Sequence, residues 1–422
     1  GAVNATLSLT DGDGDVASAS AAIGGSIQFE DDGPLILTAK VDRHFGLLVD
    51  ETQGTQAGTD DVTGPLAVFS GVANVGLDPD RGAPLAYAVD HHQAISFVPF
   101  FGVDGQAATG AVAFSLVLGS DHDSGLSVTD GSPIVLSVET DGTNHWIVGR
   151  VDGGTFDGKA AFALAIDPSS GEVSLVQYLS LEHVAGDPND PIALASGAVQ
   201  AVVTITDGDG DTASKGVDIS GSVVFRDDGP TMVDRASLTA EVDEDGLHKP
   251  STSSLSDSNP DTGKTGEVTG TNSAVVTDAD VVGTLKSLVD FGADGFGSFE
   301  LKAQATGIDS GVDSKGDEVL IVTNGNTLYG YVGAPAGYNA GTDRLVFQLT
   351  LGANGSFTFQ LFDQIDHPSL DGVAPPAVPG EADNAENLLT PNGIDLSGFV
   401  LATDVDGDSI PLGTGAFTVQ VR

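Results

Sequence analysis

The chain has 422 residues, and its 15 Lys and Arg face 61 Asp and Glu, a formal charge of −46. Such acidity repels nucleic acid and anionic membranes and attracts cations, the lack of any cysteine excludes disulfides and thiolate metal sites, and no apolar run reaches the roughly 18 residues of a membrane-spanning helix. A hydrophobic content of 40%, rich in β-branched residues, excludes a disordered acidic tail, so the charge is carried on a folded scaffold long enough for about two to four domains.

In chain order the pattern predicts strand after strand. Residues 3–9 (VNATLSL) alternate and run into an acidic loop, and 23–29 (IGGSIQF) are expected to return from it. Further strands are expected at 35–41, 95–101, 111–118, 134–138, 145–151, 161–166, 173–179 and 199–205, and an early strand of the next unit at 239–242. Each is short, alternating or wholly apolar, and bounded by Gly, Pro, Asp or Asn. No convincing amphipathic helix is present; residues 383–389 would make a turn or two at most. Short strands joined by Gly-rich turns point to β-sandwiches.

A long internal period organises these strands. The text TDGDGDVASASAAIGGSIQFEDDGP at 10–34 returns as TDGDGDTASKGVDISGSVVFRDDGP at 206–230, and TDVDGDSIPLGTGAFTVQVR begins a third copy at 403. The interval is about 196 residues. Phe101-Gly-Val-Asp-Gly105 matches Phe291-Gly-Ala-Asp-Gly295, Asp123-Ser-Gly125 matches Asp309-Ser-Gly311, and His183 matches His367. The expected divisions are a hairpin of a preceding or first module at 1–33, a first full unit at 34–228 and a second at 229–422. A unit is either one large sandwich or two of about 100 residues. No signal peptide opens the sequence, and its start reads like the middle of something larger.

The acidic loops carry the chemistry. Asp11, Asp13 and Asp15, then Asp207, Asp209 and Asp211, then Asp404, Asp406 and Asp408 alternate with residues that include Gly14, Gly210 and Gly407. Glycine permits the positive-φ turn that aims carboxylates at one point, and converging carboxylates in a flexible loop suit Ca²⁺. Asp and Gly are also ordinary turn formers; recurrence favours the metal. These loops are not EF-hands, since Val16, Thr212 and Ser409 stand where that loop requires Gly. The repeated Gly-Gly-x-Gly-x-Asp of calcium β-rolls is absent too.

The Asp-x-Asp-Gly-Asp loop, the strand after it, Asp-Asp-Gly-Pro, and Phe-Gly-x-Asp-Gly inside each unit together resemble the long repeats of giant repeats-in-toxin adhesins of Gram-negative bacteria, which are exported by type I secretion. The resemblance spans essentially the whole chain. It implies an elongated array of tandem β-sandwich extender modules, Ig-like or cadherin-like, with calcium at loops and joints. It further implies an extracellular, cell-surface location, a role in adhesion and biofilm formation, and a distal ligand-binding domain that the array projects. Carried over by position, it makes the nine loop aspartates above calcium ligands, with Asp31, Asp32, Asp227 and Asp228 as joint ligands. Asp243, Glu244 and Asp245, and in the first unit Asp50 and Glu51, open the following units and would complete a joint. The first unit departs from the second there, VDRHFGLLVDE replacing VDEDGL. The implied partners are neighbouring repeats of a monomeric chain, with no nucleic acid and no membrane insertion.

Two other classes of function have their own sequence signatures. An enzyme is not expected: there is no Gly-x-Ser-x-Gly and no His-Glu-x-x-His, and adjacent His91 and His92 do not share a strand face. The stronger alternative is a carbohydrate- or peptide-binding module. Its weak platform would be Tyr329, Tyr331 and Tyr338, with Trp146 read instead as a packed residue of a strand.

Overall fold

The computed structural model describes residues 2–82, 84–242, 244, 247, 274–366 and 393–421. Over these residues the chain is all-β, a hairpin followed by two β-sandwiches in tandem. The only helical pieces described are short 3₁₀ turns such as Ser220–Ser222, and no helix is long and apolar enough to cross a membrane. The stretches at 383–389 and His367 lie outside the described residues.

The first sandwich is built on a six-stranded antiparallel sheet in the order Ala86–Asp90, Val173–Gln177, Ala160–Ile166, His145–Val151, Pro133–Thr140 and Asp123–Ser127. Small sheets oppose it: Thr212–Asp218, Val199–Thr206 and Val112–Leu118; Pro191–Ala193, Val223–Arg226 and Leu47–Asp50; and Leu35–Val41 with Ile95–Phe100. The sequence VQAVVTIT shows why the layers close. Its period of two turns Val199, Ala201, Val203 and Ile205 into the core and leaves Gln200, Val202, Thr204 and Thr206 half-buried. Phe162, Leu164, Ile134, Leu136 and Phe225 complete that core, each contributing about 1.5–3 kcal/mol by its burial.

The second sandwich repeats the plan. Its six strands, Ala274–Thr277, Phe357–Leu361, Arg344–Leu351, Thr327–Val332, Asp317–Asn324 and Ile308–Ser314, stand in the same meander order. A single core joins Phe347, Leu349, Phe357, Phe359, Phe417 and Val419. Even a packing detail recurs. Gly149 pairs across the sheet with Phe162, and Gly330 with Phe347. A Cβ at either glycine would collide with that ring, so the aromatic lies directly over bare backbone.

The outer faces of the two large sheets differ. In the first unit Trp146, Val148, Ala163, Ala165, Val176 and Tyr178 form a second apolar layer, covered by Phe69 and Val72 of the insertion between Asp50 and Ala86. The Trp146 indole donates to the Val68 carbonyl at 2.8 Å. The second unit instead turns Gln348, Thr350 and Gln360 outward. Its only described outer apolar group is Leu320, Val322 and Tyr331, with Tyr329 and Tyr338 packed against it.

One predicted strand is corrected. The chain returns from the first acidic loop as Val16–Ala22, paired to Asn4–Thr10 in full register, rather than as 23–29. The turn is tight enough for immediate reversal, with the Asp11 N–H on the Asp15 carbonyl at 3.0 Å. In the second copy Val223–Arg226 is a strand because Leu47–Asp50 and Pro191–Ala193 pair with it. The matching 27–30 meets no such ladder among the described residues, and unpaired backbone does not hold a strand.

Candidate metal centre at the junction of the two units

Three sequence motifs, far apart in the chain, meet at one end of each sandwich. At the junction these are Asp227 and Asp228 of Asp-Asp-Gly-Pro, at the end of the first unit, with Asp294 of Phe-Gly-Ala-Asp-Gly and Asp404, Asp406 and Asp408 of the acidic loop in the second. The Asp228 carboxylate is pinned by the Ala293 N–H at 2.9 and 3.1 Å. Asp404 Oδ1 accepts from the N–H groups of Gly407 and Asp408. Those bonds require the sharp turn that Gly407 makes at φ 110°.

The first unit adds a further acid beside its own Asp227 and Asp228. Glu51 follows the strand Leu47–Asp50, which runs parallel to Val223–Arg226 and so arrives beside Asp227. Glu51 Oε1 accepts from the Gln177 side-chain amide and from the Leu181 N–H. Single oxygens of Glu51, Asp227, Asp228 and Asp294 lie within 4.8 Å of one another. The loop 183–190 closes the seam: the Gly186 N–H donates to Asp408 Oδ1, and the Asp227 N–H to the Asp190 carbonyl.

These carboxyls are shut away from water. Asp227 is fully buried, and Glu51, Asp228, Asp294, Asp404 and Asp408 are at most 4% exposed. Yet both oxygens of Asp227, Asp294 and Asp406, Oε2 of Glu51, and Oδ2 of Asp404 and Asp408 have no hydrogen-bond partner. Burying an unpaired carboxylate costs several kcal/mol. Burial and mutual repulsion accordingly push Asp227 and Asp404 up to about 8, Asp228 to about 7 and Asp294 to about 12. Burial also raises Glu51, against the pull of His183. Burial by itself would lower His183, but Glu51, Asp227 and Asp190 outweigh it and hold the imidazole up at about 9. His183 Nδ1 lies 3.1 Å from Asp190 and its buried Nε2 faces Glu51 at 3.6 Å, so that Glu51, His183 and Asp227 form a second possible ligand group at the junction.

The donor set is all oxygen apart from that imidazole, and it is crowded, rigid and strongly anionic. Such a set fits a hard divalent cation taking about 6–8 oxygens. Orphaned buried oxygens of this kind call for an ion or protons.

The first unit repeats the same geometry. Asp31 and Asp32 approach Asp104, and Asp31 approaches Asp209 and Asp211, in both cases within ligand distance. The Val103 N–H holds Asp32 as that of Ala293 holds Asp228. Here the aspartates are exposed, apart from Asp207, whose Oδ2 is buried without a partner. Burial together with Asp209, Asp31, Asp32 and Asp207 raises Asp104. Asp11, Asp13 and Asp15 converge on the free hairpin and are exposed; hydrogen bonds from Asp13 and Asp15 lower Asp11.

The joint is thus assembled differently from the sequence expectation. Loop and Asp-Asp-Gly-Pro aspartates form one site instead of two, and Asp104 and Asp294, noted only as landmarks, belong to it. Glu51 serves the joint after its unit rather than the one before, while Asp50 turns aside to the Thr52 N–H and lies 3.7 Å from Arg226. Glu244 does not complete the Asp227–Asp228 joint. Leu238–Val242 carries it along the unit to the Ile365 N–H, the counterpart of Glu51 on Leu181. Asp243 and Asp245 lie outside the described residues. Tyr331 is fully buried and its hydroxyl donates to Ala334, with Tyr329 and Tyr338 stacked 4.9 Å apart; the three rings pack on one another.

No curated protein matches the chain. A family model described as Domain of unknown function (DUF5801) matches residues 46–220 and again residues 239–411.

Proposed function

The chain belongs to the DUF5801 family in both of its units, and from that premise we propose that it is a structural extender: a tandem β-sandwich segment of a bacterial cell-surface adhesin whose joints Ca²⁺ makes rigid. The observation that carries the reading is the convergence of partnerless buried carboxyls from both units, with Glu51 and Asp227, joined by Asp228, on one side and Asp294, Asp404, Asp406 and Asp408 on the other. A divalent ion there bonds to both sandwiches at once and offsets their repulsion. It fixes the angle that Gly229 and Pro230, a non-helical linker, leave to other contacts.

Glu51 with Leu181, and Glu244 with Ile365, give each unit the same acceptor at the end opposite its aspartate cluster. Such polarity suits head-to-tail addition of units, each joint made by the tail glutamate and Asp-Asp pair of one and the remaining aspartates of the next. Export by type I secretion, surface location and a distal adhesive domain enter through the resemblance to repeats-in-toxin adhesins. In this reading the chain has no catalytic role; it supplies length and stiffness.

The test is the distance between units. The chain has no native cysteine, so Thr143→Cys and Asn326→Cys on exposed turns of the two sheets take spin labels cleanly. Calcium should give one narrow distance distribution and chelator a broad one. Equal widths in both conditions would refute the calcium joint.

A further inference from the structure

A second contact crosses the junction, and it uses no metal. The first unit's insertion sends the segment 75–82 over the seam. Its base is tied to the sheet by Gly76 N–H to the Ala160 carbonyl and Ala160 N–H to the Asn74 carbonyl. Its tip is set by Asp78, itself buried, which accepts the N–H groups of Asp80 and Arg81 at 2.9 Å each, while the Gly82 N–H returns to the Asp78 carbonyl. The loop therefore presents Arg81 in a fixed direction.

Arg81 meets Asp290 of the second unit through both arms of its guanidinium, Nη2 to Oδ1 at 2.9 Å and Nη1 to Oδ2 at 3.3 Å. The same Nη2 lies 3.8 Å from Asp228. Beside it the Asp80 carboxylate fills the space where Gly295 would carry a Cβ. Gly295, at φ 74°, sits in a conformation that suits glycine. The loop is thus fitted to the Phe-Gly-Ala-Asp-Gly turn and to the residue before it.

That preceding residue differs between the units. Asp290 precedes Phe291-Gly-Ala-Asp-Gly295, but Phe100 precedes Phe101-Gly-Val-Asp-Gly105. A phenyl ring accepts no pair of N–H bonds. Against a unit of the first kind, Arg81, whose Nε is already buried without a partner, would lose both of its bonds. Specificity is a difference between partners, and two guanidinium donors that find acceptors against one partner and none against the other contribute to it. A bidentate arginine is also the contact most sensitive to the identity of its acceptor.

We infer that the Arg81 loop is an order-determining latch: it accepts as the following unit one that carries a carboxylate immediately before Phe-Gly-x-Asp-Gly, and it disfavours one that carries an apolar residue there. The partner is a neighbouring unit of the Asp290 type. The latch goes beyond the calcium joint, since its cation is a fixed guanidinium.

The full doubly labelled chain tests it in chelator at low salt, where no metal holds the joint. The parent should keep a residual population at the distance seen in calcium. Asp290→Phe, Arg81→Ala and Asp290→Asn should each reduce that population several-fold, and Arg81→Ala/Asp290→Asn no further than either single change. Saturating calcium should restore the narrow distribution in all of them. Asp290→Asn keeps size and removes charge, so it guards against a folding defect in Asp290→Phe. A parent with no residual population, or variants that retain as much as the parent, would overturn the latch. Failure of the calcium joint would appear separately, as a parent distribution indifferent to calcium.

Discussion

Replacing Asp294 with Asn should change stability in opposite directions with and without calcium. Asp294 is 4% exposed, and neither carboxyl oxygen has a partner. Burial first, then Glu51, Asp406, Asp227 and Asp228, push it up to about 12. In the metal-free fold at pH 7 it is therefore a neutral acid, while in the unfolded chain it titrates near 3.8. At about 1.36 kcal/mol per unit, the roughly three units between 3.8 and 7 make this protonation cost about 4 kcal/mol. The figure does not depend on how far above 7 the folded value stands. Asn has nearly the same shape and incurs no such cost. For a unit of about 200 residues, on the order of 2–4 °C per kcal/mol, the chelated variant should melt on the order of 10 °C above the parent. In calcium the variant has lost a charged ligand, so affinity should fall at least about tenfold and melting should drop below the parent. Thermal unfolding followed by far-ultraviolet circular dichroism, with and without chelator, reads both. A shift of the same sign in the two conditions would refute the reasoning.

The pH dependence follows from the same groups. Asp227, Asp228 and Asp404 stand at about 8, 7 and 8 in the fold against 3.8 unfolded. Between about pH 4 and 8 the native state holds more protons, so the metal-free chain should lose stability as pH rises from 5 to 8. Calcium binds the ionised forms and should abolish that loss, which urea midpoints at the two pH values would show; a metal-free chain more stable at pH 8 than at pH 5 would count against it. Glu139, lowered chiefly by Arg150, acts below this window. Magnesium should restore chelated protein poorly, because it prefers a small octahedral site and keeps its waters; equal melting temperatures in the two ions would contradict the donor assignment. Gly330→Ala should cost about 1–3 kcal/mol by driving a methyl into the Phe347 ring, with calcium affinity unchanged; an unaltered urea midpoint would show that the ring yields.

Much of the fold was legible in the sequence. The strands at 35–41, 145–151 and 199–205 needed only period two and their Gly or Asp boundaries, and the long period announced two like units. What escaped was partnership. Whether 23–29 forms a strand depends on neighbours like Leu47–Asp50, which a local pattern does not contain. The acidic motifs were visible, but nothing local says that Asp31 meets Asp209, or that Asp294 faces Asp227; those pairings follow from the sheet register. A signal for Asp104 and Asp294 did exist, since the same Asp recurs in Phe-Gly-x-Asp-Gly in both units. Glu51 is visible in the sequence but not its joint, because the parallel pairing of Leu47–Asp50 with Val223–Arg226 takes it to the far end of its unit. Trp146 reads correctly as a packed residue, but nothing local says that Phe69 and Val72 of the insertion cover it.

Locating the ion itself tests the central claim most directly. Crystals grown with calcium and soaked with a lanthanide, which takes the same hard-oxygen sites and scatters anomalously, would reveal each bound cation. The account predicts a strong peak among Glu51, Asp227, Asp228 and Asp294, with oxygens of both units in its coordination shell. Density confined to the exposed Asp11–Asp15 loop, with the junction carboxyls holding only protons and water, would contradict it.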